Sequence, residues 1–124
     1  MKVYQRLARL LDARQNCIES GNPEWQRSHE QAIEELAENY LPHGSGFDAG
    51  TTVDLERSRE DRIVLQASYH HMNENGFYVG WTDHDIIITP SLTFDYNLRI
   101  TGRDRNQTRD YIIDQFCYHL DLEV

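Results

Sequence analysis

The sequence predicts an α+β fold in which helices pack on one face of an antiparallel sheet. Two segments near the start have helical apolar spacing, and a final segment has it again. Between them, the chain is rich in β-branched and aromatic residues that turn sequences interrupt. Helices before and after a block of consecutive strands are typical of this class. At 124 residues, we expect a single domain spanning residues 1–124.

Two N-terminal helices are predicted to form an antiparallel hairpin. Leucines at helical spacing predict the first helix over residues 1–20, and Gly21 ends it. Asn22 and Pro23 suit the cap and first turn of a second helix, which is expected to run to about Leu41. The inner face of this second helix is predicted to carry Trp25, His29, Ala32, Ile33, Leu36, Ala37 and Tyr40.

A C-terminal helix is predicted after the polar loop of residues 102–106, with Asn106 or Thr108 as its cap. We expect its apolar stripe to pack on one face of the sheet. The stripe consists of Ile112, Ile113, Phe116, Cys117 and Leu120.

The middle of the chain is predicted to form a three-stranded antiparallel meander, with strands over residues 62–72, 77–88 and 92–101. A short edge strand within residues 51–55 would add a fourth strand. The first turn contains Asn75-Gly76, a strong hairpin signal because a type I′ turn needs positive φ at both central residues. A two-residue loop at this site would place Leu65 opposite Ile86. A four-residue loop would shift the pairing but keep the same faces.

Alternation of side chains divides this sheet into a core face and a polar face. Pro90 ends the ladder in the second turn, and pairing Ile88 with Leu92 sets the remaining register. The predicted core face consists of Ile63, Leu65, Ala67, Tyr69, Ile86, Ile88, Leu92, Phe94, Leu98 and Ile100. The predicted polar face consists of Gln66, Ser68, His70, Trp81, Asp83, Asp85, Asp95, Asn97 and Arg99.

The polar face has two interpretations. Antiparallel sheets of soluble proteins often leave one face in water, which would need no function. Asp85 and Asp95 would lie nearly opposite each other, however, and such a like-charge pair destabilises a sheet unless binding makes it useful. Trp81 would be exposed on this face, either stacked on Arg99 or acting as the anchor of an interface.

The net charge limits the classes of partner. Lys and Arg number 12 against 21 Asp and Glu, which gives a formal charge of −9. This balance opposes direct nucleic-acid binding and favours a protein partner with a basic surface. The apolar runs are too short to span a membrane. No signal peptide precedes Cys17 and Cys117, so we expect reduced thiols in the cytoplasm, although the sequence leaves a disulfide open.

Residues with catalytic or metal-binding chemistry do not form a pattern that predicts a site. The neighbouring His70 and His71 would point to opposite faces of a strand, so no metal site is predicted. His70, Asp83 and Asp85 could serve a small metal-dependent or acid–base enzyme, but an open sheet face rarely shifts pKa values as catalysis requires. The glycine-rich stretch 43–51 lacks the lysine and the strand–helix context of a phosphate loop, so we expect a crossing loop. We predict no catalytic residue and no cofactor.

Three sequence runs are similar to a known family. They read GSGFDxGT over residues 44–51, HHMNENGxYxGWTDH over residues 70–84, and GRDRN over residues 102–106. In these runs, the chain resembles small uncharacterised proteins carried by bacteriophages and other bacterial mobile elements, over roughly residues 36–120. The resemblance implies an accessory protein acting in a bacterial cytoplasm, and it carries no established activity.

Together these observations lead to one functional hypothesis and two alternatives. The hypothesis is a non-enzymatic accessory protein that contacts another protein through an acidic sheet face, for example by blocking a basic nucleic-acid-binding site of a host protein. Its binding residues would be His70, Trp81, Asp83, Asp85, Asp95 and Arg99. The alternatives are the small enzyme described above and a self-associating structural subunit, which would be a homo-oligomer.

Overall fold

The α+β prediction is confirmed by the computed structural model, which describes residues 1–103 and 106–124. Part of the predicted polar loop of residues 102–106, namely residues 104 and 105, lies outside the described residues. The elements in chain order are α1 (Val3–Glu19), α2 (Pro23–Tyr40), β1 (Thr51–Val53), β2 (Ile63–Met72), β3 (Tyr78–Pro90), β4 (Tyr96–Thr101) and α3 (Asn106–Leu120).

The four strands form one antiparallel sheet in the order β1-β2-β3-β4, and the helices cover one of its faces. α2 contacts β1, α1 contacts β3, and α3 contacts β4. His84 of β3 lies opposite Ala67 and is also buried on the side that faces the helices. The ring of His84 packs directly against Gly102, because a Cβ atom built on Gly102 would lie 2.1 Å from the Nδ1 atom of His84. The largest buried side chains are Tyr4, Leu7, Leu11, Ile33, Leu41, Phe47, Ile63, Leu65, Ile86, Ile88, Ile112 and Phe116.

The register between β2 and β3 agrees with the prediction, with Leu65 opposite Ile86. The turn is neither of the two loops considered. The backbone N–H of Gly76 donates to the carbonyl of Asn73, and the N–H of Asn73 donates to Phe77, so the loop has three residues. Gly76 has the expected positive φ, of 79°. The pairing then shifts between His71 and Met72, because β3 contains one extra residue at a bulge near Val79.

The register between β3 and β4 differs from the prediction, which was wrong here. Ile88 lies opposite Leu98 and not opposite Leu92. Residues 91–95 form a closed loop, in which the Ser91 N–H donates to the Asp95 carbonyl at 2.8 Å. Within it, Leu92 is 100% exposed and Phe94 is 74% exposed, so neither belongs to the core. Alternation of apolar and polar residues cannot distinguish such a loop from a strand. The shift of six residues is even, so Leu98 and Ile100 still face the core.

The inner face of α2 is also narrower than predicted. Ile33, Leu36 and Ala37 are buried, but Trp25 is 60% exposed. In the same half of the helix, Glu30 lies 3.7 Å from the guanidinium Nε of Arg14 in α1, so an ion pair joins the two helices there.

The glycine-rich stretch 43–51 is a crossing loop, as predicted, and it carries a core residue. Phe47 is buried against the rings of Tyr69 and Phe116, with ring centroids 5.2 and 5.7 Å away. Gly46 lies so close to Tyr69 that a Cβ atom would come within 2.4 Å of the ring. The glycines therefore allow the backbone to approach β2 and place Phe47 in the core.

Candidate functional site

The central part of the predicted polar face is present on β2 and β3. Gln66, Ser68 and His70 of β2 lie opposite Asp85, Asp83 and Trp81 of β3 in turn. These side chains point away from the helices because their neighbours along each strand face the core. Of these six, Gln66, Trp81 and Asp83 are exposed, and the other three are partly exposed.

Asp95 does not lie opposite Asp85, so the predicted proximity of these two carboxylates is wrong. It closes the loop of residues 91–95, while Asp85 lies opposite Thr101 at the other end of the β3–β4 pairing. Asp95 lies six residues along the chain from Thr101, a separation of ~20 Å. The predicted repulsion between Asp85 and Asp95 therefore does not arise.

Arg99 lies on the polar face but away from Trp81. It is opposite Ile87, six residues along β3 from Trp81, a separation of ~20 Å. The prediction that Trp81 stacks on Arg99 is therefore wrong. The cross-strand neighbour of Trp81 is His70. Trp81 remains 61% exposed.

Arg57, which the sequence interpretation missed, binds Asp85. Its Nη1 and Nη2 atoms lie 2.9 and 3.1 Å from the two carboxylate oxygens of Asp85, and its Nε atom lies 2.6 Å from Asp54. The hydrogen bond from Arg57 lowers the pKa of Asp54. This fork geometry neutralises much of the negative charge of Asp85. The only sign of this ion pair in the sequence is that a basic residue lies in the charged segment before β2, which does not indicate its acidic partner.

The same segment, residues 54–62, covers the start of the polar face. Val64 points away from the helices, yet it is fully buried. The Val64 N–H donates to the Ser58 hydroxyl at 2.9 Å, and the Asp54 N–H donates to the Val64 carbonyl at 2.9 Å. These bonds continue the edge of the sheet where the short strand β1 ends. The exposed part of the polar face therefore begins at Gln66.

The three residues of the enzyme hypothesis do not converge on one point. Asp83 accepts a hydrogen bond from the Ser68 hydroxyl at 2.5 Å, and Asp85 binds Arg57. His70 is 3.8 Å from Asp48 in the crossing loop and lies two rows along the sheet from Asp85. Among residues 1–103 and 106–124, no three His, Cys, Asp or Glu side chains are grouped as a metal ion would require. The geometry gives no support to acid–base or metal chemistry at these positions.

The end of the β2–β3 hairpin carries an exposed apolar surface that the sequence interpretation overlooked. Each of its large apolar side chains is more than half exposed. The sequence predicts the exposure of Trp81, but for Phe77, Tyr78 and Val79 it predicts only a strand. We call this surface the hairpin patch, and it consists of Met72, Phe77, Tyr78, Val79 and Trp81.

The hairpin projects past its neighbours in the sheet. Within the described residues, β1 pairs with β2 only between Leu65 and Ala67, and β4 pairs with β3 only from Asp85 to Pro90. An open depression of about 800 Å³ adjoins the projecting part. Gly80, Trp81 and Thr82 line it on the hairpin side. Across from them stand Arg103 and Thr108, so the depression separates the hairpin from the start of α3.

Comparison of the chain with protein-family models, curated proteins and solved structures found no significant match. The similarity to proteins of mobile elements therefore stays a prediction. None of the helices in the described residues is long and apolar enough to cross a membrane.

Proposed function

We propose that this protein is a non-enzymatic binding module that contacts another protein through the hairpin patch and the polar face beside it. The observation that carries this proposal is the exposure of five large apolar side chains at one end of a single hairpin. A group of large apolar side chains left exposed in one region of a fold commonly marks an interaction site. Isolated exposed apolar residues would carry no such meaning.

Trp81 is the expected anchor of the interface. It joins the hairpin patch to the polar face, because its neighbours on that face are His70 and Asp83. The ring of His70 also contacts Tyr78, with 5.5 Å between the ring centroids. Trp and Tyr supply large contact areas at low entropic cost, and they dominate measured binding energies at interfaces.

The charge around the anchor supports a partner with a basic surface. Asp83 is exposed and carries no cation within the described contacts, whereas Asp85 is bound to Arg57. The formal charge of the whole chain is −9, which would accelerate the approach of a positively charged partner. Competition with nucleic acid for a basic site on that partner is the concrete form of this function. We place this activity in a bacterial cytoplasm, as the similarity to mobile-element proteins implies.

Self-association is the second candidate, since an apolar patch can also bind a second copy of itself. The charge of −9 on each copy opposes it, because two such molecules repel each other. Light scattering at low and high salt separates the two candidates. A monomer under both conditions supports the proposal, and a dimer formed through the hairpin patch contradicts it.

The test compares two tryptophans of almost equal exposure, Trp81 on the hairpin and Trp25 on α2, which are 61% and 60% exposed. Purified wild-type, Trp81→Ala and Trp25→Ala proteins would be used to capture partners from a bacterial lysate. We expect Trp81→Ala to lose the partner and Trp25→Ala to retain it, with both variants folded. Equal capture by all three proteins would contradict the proposal.

A further inference from the structure

Within the described residues, the outer edge of β3 between Tyr78 and Asp83, on the side away from β2, pairs with no other strand. The segment contains no Lys or Pro, the residues that commonly protect a strand edge. The bulge near Val79 blunts the start of this edge, but the residues from Trp81 to His84 keep regular pairing with β2.

The direction of the backbone groups on this edge follows from the other side of the sheet. The Val64 N–H donates to the Ser58 hydroxyl, and the His70 N–H donates to the Gly46 carbonyl. Both N–H groups therefore point away from β3. The backbone hydrogen bonds between β2 and β3 are therefore made by the odd-numbered residues of β2 and the even-numbered residues of β3 that lie opposite them. Trp81 and Asp83 consequently direct their own N–H and C=O groups outward.

We propose that an extended, basic segment of the partner protein adds to β3 as a further strand, pairing with Trp81 and Asp83. This inference rests on the proposed function and specifies how that partner is held. Strand addition obtains affinity from main-chain hydrogen bonds and selectivity from alternate side chains. The depression of about 800 Å³ beside Gly80, Trp81 and Thr82 offers room for such a segment.

Charge decides between the possible occupants of this edge. A second copy of the chain would bring a further formal charge of −9 and would be repelled. A basic segment would instead be attracted by Asp83 beside the edge and by Glu74 on the wall of the depression. Arg103 on the opposite wall is a single positive charge against these. The balance favours a segment rich in Lys or Arg, with apolar residues at the positions next to Trp81.

The experiment selects peptides from a displayed library of random nine-residue sequences, using the purified full chain. We expect enriched sequences to carry Lys or Arg and to bind the protein in solution by fluorescence anisotropy. Asp83→Pro removes an outward N–H while leaving the ladder to β2 intact, and Asp83→Asn removes only the charge. We expect Asp83→Pro to weaken binding at least tenfold more than Asp83→Asn does.

Backbone methylation of the best peptide supplies a readout that does not depend on a foldable variant. Methyl groups on alternate amide nitrogens should abolish binding, and those on the intervening ones should not, because only every second residue of an added strand faces the edge. Uniform or scattered effects would overturn strand addition. So would equal binding by Asp83→Pro and Asp83→Asn, the failure to enrich any peptide, or a dimer that Asp83→Pro dissociates.

Two of these results separate strand addition from the function on which it rests. If strand addition fails but Trp81→Ala still loses the captured partner, the hairpin patch binds a folded surface. If Trp81→Ala retains the partner as well, the proposed function fails with it.

Discussion

Gly76 shows how one residue determines the geometry of the hairpin. Its φ of 79° lies in a region that β-branched residues adopt only under strain, and no atom would contact a Cβ placed there. Gly76→Val should therefore lower the free energy of unfolding by about 1 to 3 kcal/mol through backbone strain alone. Gly76→Asn is the matched control, since Asn tolerates this conformation. Urea denaturation measures both, and equal midpoints for the two variants would contradict the explanation.

Glu60 is a residue whose charge opposes folding. The like charge of Asp12 raises its pKa, with a smaller contribution from desolvation, so the folded protein binds this proton more tightly than the unfolded chain. The ionised carboxylate therefore destabilises the fold at neutral pH, and the cost disappears as the pH falls below the usual value of 4.5.

Glu60→Gln should raise the free energy of unfolding at pH 7 by a few tenths of a kcal/mol, the scale of exposed charge interactions. At pH 3.5, where Glu60 is protonated in both states, the variant and the wild type should have the same stability. Glu56→Gln in the same segment is the control and should show a smaller change at pH 7. Denaturant titration at both pH values tests this, and a gain that persists at pH 3.5 would exclude a charge effect.

At the scale of elements, the segment of residues 54–62 acts as a substitute for a longer β1. Ser58 is buried and accepts the hydrogen bond of the Val64 N–H, which is itself shielded from water. Ser58→Ala should cost about 1 to 3 kcal/mol, because the buried N–H loses its partner. Ser28→Ala, at an exposed position on α2, should change stability by less than about 0.5 kcal/mol. Thermal and chemical unfolding of the two variants provide the comparison.

The same scale explains which parts of the sheet could be predicted from sequence. Alternation predicted correctly which side chains of β2, β3 and β4 face the core. This held even where the register was wrong, because the partner of Ile88 is Leu98 and not Leu92, and a shift of six residues keeps the same face. The start of β4 could not be predicted, because the Ser91–Asp95 loop has the same alternation as a strand. Arg57 and Ser58 were also beyond prediction, since their partners depend on how a loop folds back on the sheet.

At the scale of the whole molecule, the fold class was predictable because the helical and strand segments are separated along the chain. The site was only partly predictable. Trp81, Asp83 and Asp85 were placed on the correct face, but nothing in the sequence indicated that β1 and β4 would leave the end of the hairpin uncovered. That exposure depends on relative strand lengths, which sequence patterns define poorly at their ends.

The whole fold should also be independent of transition metals. His70 and His71 point to opposite faces, and His84 is enclosed by the core. Melting curves recorded with and without a strong chelator should therefore coincide. A chelator-induced decrease of several degrees in the melting midpoint would instead favour the metal-dependent alternative.

The three-residue loop and the bulge near Val79 have a joint consequence for motion. A two-residue turn at Asn75-Gly76 without a bulge would give the same pairing of Leu65 with Ile86. We therefore expect a second closure of the hairpin tip to be accessible with the same core, and in it Tyr78 would lie on the other side of the sheet.

A tip with two accessible closures would let a ligand select one of them without disturbing the rest of the domain. Gly80, with a φ of 137°, accommodates the bulge, so Gly80→Val should shift the population towards the tight turn. The contact between the rings of Tyr78 and His70 would then disappear from the NMR spectrum, while contacts of Leu65 with Ile86 would remain.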